Sequence, residues 1–171
     1  MMMMKKTFFY NFFPTKSEEE ASPKAAGQVS RVLVEARDVL PPPAADPANP
    51  WQIRKTLTQY EVITGMLVAP FAETMEHVFR YWGLCTATRV VLGQKTAVEV
   101  WDVTAAAEQN CPPKRYAGCC FEVLPSDDYV LACMDLFKDR NLAPEDEVGL
   151  YWDFNCSVFR FKLLRKAAAV K

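Results

Sequence analysis

In EDEVGLYWDFNCSVFRFKLLRKA, residues 145–167, large apolar side chains recur at every second position. Val148, Leu150 and Trp152 form one such set, and Phe159, Phe161 and Leu163 form another, with Arg160 and Lys162 pointing the other way. A period of two places each set on one face of a β-strand. The stretch therefore reads as two strands that wall a core on one side and meet solvent on the other.

Upstream, short strand-like segments continue. Ile53–Leu57, Met66–Ala69, Thr88–Leu92, Ala97–Val103, Tyr116–Leu124 and Tyr129–Ala132 are rich in branched and aromatic residues, and Ala97–Val103 alternates cleanly. Two segments break this texture. Phe71, Met75, Val78, Phe79 and Trp82 fall at three- and four-residue intervals before Gly83, and Met134–Asn141 reads as a second short helix. Seven or eight strands with two short helices, not alternating regularly, predict a mainly β, barrel-like fold over residues 51–171.

Residues 1–50 differ. Ser22-Pro23 opens a predicted helix on which Val29, Val32, Leu33, Ala36, Val39 and Leu40 share a face, so that the segment 22–40 forms one amphipathic helix. Pro41-Pro42-Pro43 ends it, and the Pro-rich run to Pro50 has linker chemistry. Two regions follow: a tail over 1–50 and a folded domain over 51–171. The start MMMMKKTFFYNFFPT is basic and then aromatic, but Asn11 and Pro14 interrupt it and no small-residue cleavage site follows. An intracellular protein is expected.

The 171 residues carry 20 Lys plus Arg against 21 Asp plus Glu, and half are apolar. That balance excludes a disordered polyelectrolyte and a collagen. Charges interrupt every apolar run well short of a bilayer span, so no membrane segment is expected. The six cysteines have no C-x-x-C spacing and His77 is the single histidine. Six free thiols, no metal and no cofactor are therefore expected. Neither a Ser/His/Asp arrangement nor a phosphate-cradling glycine loop is present, and the chain does not read as an enzyme.

The 145–167 stretch resembles the end of the plant B3 DNA-binding domain. More narrowly, it resembles members ending in a Gly-Asp-Glu-Ile-Gly-Leu-Tyr-Trp-Asp type segment followed by Ser-Arg-Phe-x-Phe-x-Val-Leu. Further matches keep the family's order: Pro50-Trp51-x-Ile53-x-Lys55-x-Leu57-Thr58, Leu67-x-x-Pro70, Val100-Trp101-Asp102-Val103, Lys114-Arg115 and Tyr129-Val130-Leu131. The resemblance implies a seven-stranded open pseudobarrel with two helices, docked in the major groove of double-stranded DNA through two loop arms, in a nuclear regulator of transcription. Carried onto this sequence, the DNA-binding residues are Lys55, Gln59, Thr64, Lys114, Arg115 and Ser126.

Phosphate binding needs Lys and Arg at the arms. Here the first-arm region, 59–66, has no Lys or Arg and contains Glu61, while the second, 124–128, holds Asp127 and Asp128. Residues 51–171 hold 14 basic against 15 acidic side chains. Two functions follow from this pattern: a DNA-binding transcriptional regulator, or a module of the same architecture that has lost DNA binding and meets a protein partner, with the 22–40 helix as a docking element.

Overall fold

The computed structural model describes residues 6–10, 33–37, 48–106 and 111–168. In chain order the elements are β1 (Lys6–Tyr10), β2 (Leu33–Arg37), β3 (Ile53–Thr56), α1 (Gln59–Thr64), β4 (Met66–Ala69) and α2 (Phe71–His77). A 3-10 turn (Phe79–Tyr81) leads to α3 (Leu84–Val91), β5 (Thr96–Asp102), β6 (Lys114–Val123), β7 (Tyr129–Ala132), α4 (Met134–Asp139), β8 (Glu147–Asp153) and β9 (Val158–Arg165).

Strands β3 to β9 make a seven-stranded sheet in the order β3-β8-β9-β5-β6-β7-β4. Neighbours are antiparallel except β5 and β9, which run parallel. The sheet curls into a nearly closed barrel, mainly β as the alternation predicts, and its two edge strands are β3 and β4. Polar groups bridge that seam: the Lys55 ammonium donates to the Val68 carbonyl at 2.8 Å, and Glu61 accepts from the Val68 amide at 2.7 Å.

Inside, Phe79, Phe121, Tyr129 and Phe159 are fully buried. Phe79 meets Tyr129 edge to face at 4.9 Å, and Phe121 stacks on Tyr129 at 5.8 Å. Burying each such ring contributes about 2 kcal/mol from lost apolar surface. Trp51 lies over Gly149, where an added Cβ would come within 2.9 Å of the indole, and touches the Tyr151 ring at 5.3 Å. Position 149 therefore has to lack a side chain for β3 to seat on β8.

Five expectations are corrected. Thr88–Leu92 is no strand. Thr88–Val91 belongs to α3 and Leu92 caps its end; the buried Ala87, Val90 and Val91 recur at helical spacing. The first-arm region is the helix α1, not a loop. The helix from Phe71 stops at His77, with Phe79–Tyr81 a separate 3-10 turn, so the described residues contain more helices than the two expected. Leu33–Arg37, inside the predicted 22–40 helix, is a strand paired with Lys6–Tyr10. The remainder of that predicted helix, and the Pro-rich run up to residue 47, lie outside the described residues. Finally, Cys119 of β6 and Cys133, the residue that follows β7, form a disulfide with Cα atoms 4.7 Å apart, leaving Cys85, Cys111, Cys120 and Cys156 free.

Candidate nucleic-acid interface

The first arm is built around α1. Thr58 caps it: its hydroxyl accepts from the Glu61 amide at 3.3 Å, while Glu61 Oε2 accepts from the Thr58 amide at 2.9 Å. This reciprocal box satisfies donors at the helix start. Gly65 ends α1 in the left-handed region, with φ of 64°. Glu61 is fully buried, and its second oxygen sits 2.5 Å from Lys55 Nζ. Of the sequence-predicted contacts, Gln59 is exposed at the first turn, whereas the Thr64 hydroxyl donates to the Tyr60 carbonyl at 2.8 Å. Lys55 points into the seam. The outer face of α1 instead presents Tyr60 and Ile63, 57% and 66% exposed.

The second arm is the β6–β7 turn. Leu124 donates its amide to Asp128 O at 2.7 Å, and Asp127 donates to Leu124 O at 3.0 Å while adopting φ of 69°. Asp128 Oδ1 accepts the Phe71 amide at 3.1 Å, so this carboxylate caps the start of α2 rather than standing free against a phosphate. Ser126 is exposed at the tip. The arms occupy the two ends of the β4–β7 ladder: Cys133 N donates to Gly65 O at one end, and Phe71 meets Asp128 at the other.

Lys114 and Arg115 lie elsewhere. They open β6, opposite Asp102 and Trp101 of β5, before the part of β6 that pairs with β7. Lys114 is ion-paired with Asp139 of α4. Its hydrogen bond to that carboxylate raises the ammonium pKa, and the same bond holds the Asp139 carboxyl below its ordinary value. Arg115 is exposed and its guanidinium lies 4.2 Å from the centre of the Trp101 ring. Arg160 of β9 lies 4.5 Å from the same ring, and its Nε donates to Asp153 at 3.0 Å. Trp101 is thus flanked by two guanidinium groups across three adjacent strands, an arrangement worth about 0.5–1 kcal/mol per pair at exposed sites. Sequence reading found Arg115 but missed Arg160. The signal was its place on the outward face of β9, in register with Trp101.

So the structure joins Lys55 to the first arm through Glu61, places Ser126 on the second, and sets Lys114 and Arg115 apart from both. Asp102, fully buried, holds Arg140 and accepts the Thr104 amide at 2.9 Å. Asp146 accepts the amides of Ala143 and Ala167, each at 2.8 Å, while Glu147 pairs with Arg54 and Arg165.

An open seven-stranded barrel with an arm at either end of its β4–β7 edge is the architecture of a B3-type domain. Residues 51–164 match the family model described as B3 domain-containing protein At5g26805, C-terminal domain, and the chain belongs to that family. No curated protein sequence matches it.

Proposed function

We propose that the chain is a nuclear, DNA-binding regulator of transcription that sets its two arms into the major groove. The observation that carries this reading is the placement of the arms within a B3-family barrel. The four-residue β4–β7 ladder between them spans roughly 13 Å at about 3.3 Å per residue, close to the major-groove width of about 12 Å. Gln59 and Ser126, both exposed, supply polar contacts at the two ends, and Arg115 supplies a cation to the backbone.

Such an interface is poor in cations. Counterion release scales with the phosphates neutralised, so the salt dependence should be shallow, with a log–log slope no steeper than about −2 to −3, the value reached if Lys114 and Lys55 leave their carboxylates to join Arg115 at phosphates. Titration of labelled random-sequence duplex at two salt concentrations tests this. Binding with that slope supports the reading; no binding at low salt ends it. In that event a second reading takes over: the exposed Tyr60 and Ile63 on the arm helix fit a module whose first arm meets a protein instead.

A further inference from the structure

A cleft of about 450 Å³, lined by no residue of either arm, lies between the 3-10 turn, the start of β5 and the β8–β9 turn. Its size lies in the range of small-molecule sites. Tyr81 and Phe154 stack at 5.6 Å with their planes 13° apart, and Trp82 and Trp152 meet edge to face at 5.2 Å, so the walls are flat aromatic surfaces. The backbone is irregular at this point. Val98 pairs with Cys119 and Val100 with Tyr116, so β6 carries an extra residue opposite Glu99 and turns Ala117 toward the cleft.

Two buried polar groups in these walls have no hydrogen-bond partner: Trp82 Nε1 and Thr96 Oγ1. Trp82 is only 6% exposed. A buried unpaired donor costs free energy that a ligand acceptor recovers. Both residues line the cleft. Glu99, which accepts the Trp101 indole N–H, also lines the cleft and sets its charge. A carboxylate there disfavours an anionic ligand.

We propose that this cleft is a binding site for a small, uncharged, planar heteroaromatic molecule. Its ring lies against the aromatic walls, and its carbonyl or ring-nitrogen acceptor takes the Trp82 N–H and the Thr96 hydroxyl. The site is independent of the arms and of whether they contact DNA.

The test uses the full chain labelled with ¹⁵N, in which each Trp gives its own indole N–H resonance and Trp82→Phe assigns the one of interest. Quinolin-2-one, naphthalene and quinoline-2-carboxylate are compared at equal concentration. Quinolin-2-one should move the Trp82 resonance and bind about tenfold more tightly than naphthalene, the worth of one or two hydrogen bonds. Quinoline-2-carboxylate should bind more weakly than quinolin-2-one. Thr96→Val, which keeps a branched side chain on the strand, should weaken quinolin-2-one about threefold to tenfold with the Trp51 resonance unchanged in the free protein. A Trp82 resonance that none of the probes moves, equal binding of naphthalene, or preference for the carboxylate would each overturn the proposal.

Discussion

Glu61 answers four donors with two oxygens: the Thr58 amide and hydroxyl, the Val68 amide, and the Lys55 ammonium. Removing it strands a cation and a strand amide in the seam. Glu61→Ala should therefore cost about 3 kcal/mol, at the lower end for breaking a buried pair because Lys55 keeps some solvent access, read as a lower urea midpoint. Asp146 gives a pH-dependent case. Burial pushes its carboxyl pKa up, but the Ala167 amide, the Lys166 ammonium and the Ala143 amide outweigh burial and hold it below its ordinary value. A depressed folded-state pKa means stability that is fully present above the unfolded value of about 3.9 and is lost as pH falls through the folded one. The stability gap between the wild type and Asp146→Asn should thus persist from neutral pH down to that value and narrow below it, as urea unfolding at several pH values would show. Lys55 was legible as a residue that matters, but not its direction. Ile53, Lys55 and Leu57 share an inward face by the two-residue period, and a lysine drawn inward needs a buried partner that lies only six residues away, in Glu61.

At the level of elements, α1 depends on its end. Gly65 sits at φ of 64°, and a Cβ there would approach the Met134 Cα to 2.8 Å. Gly65→Ala should cost about 1–2 kcal/mol for the left-handed conformation alone, more with the clash, measured as a fall in Tm. The signals for this helix were present in the sequence: Thr58-x-x-Glu61 is a capping box and Gly65 a C-terminal stop. They compete with the length of the segment, because six residues between two strands also read as a loop. The strands were legible wherever one face is buried and the other wet, as in β8 and β9. Thr88–Leu92 was misread because Val90 and Val91 favour strands locally, whereas Ala87, Val90 and Val91 together fit a helical face that packs on the barrel. The disulfide was not legible at all: Cys119 and Cys133 meet only once β6 and β7 are paired, 14 residues apart in the chain.

At the scale of the molecule, many cations among the described residues are spent internally. Arg54 and Arg165 share Glu147, Lys95 holds Glu122, Lys114 holds Asp139, and Lys166 reaches Asp146. A nearly neutral barrel so arranged exerts little long-range pull on a polyanion. Adding charge at the arms should restore it: Gln59→Arg and Ser126→Arg should each tighten duplex binding and steepen the log–log salt slope by about 0.9, checked by the same titration. The way the barrel is entered and left has one more result. Trp51 settles over Gly149, and the Ala167 amide is tied to Asp146, so β3 begins and β9 ends on opposite flanks of the same strand, β8. Across two strand spacings and a three-residue offset the gap is roughly 14 Å, within reach of a short glycine linker. The barrel thereby suits circular permutation, with old ends fused beside β8 and new ones cut at the exposed Gly93–Gln94 corner, all seven strands keeping their neighbours.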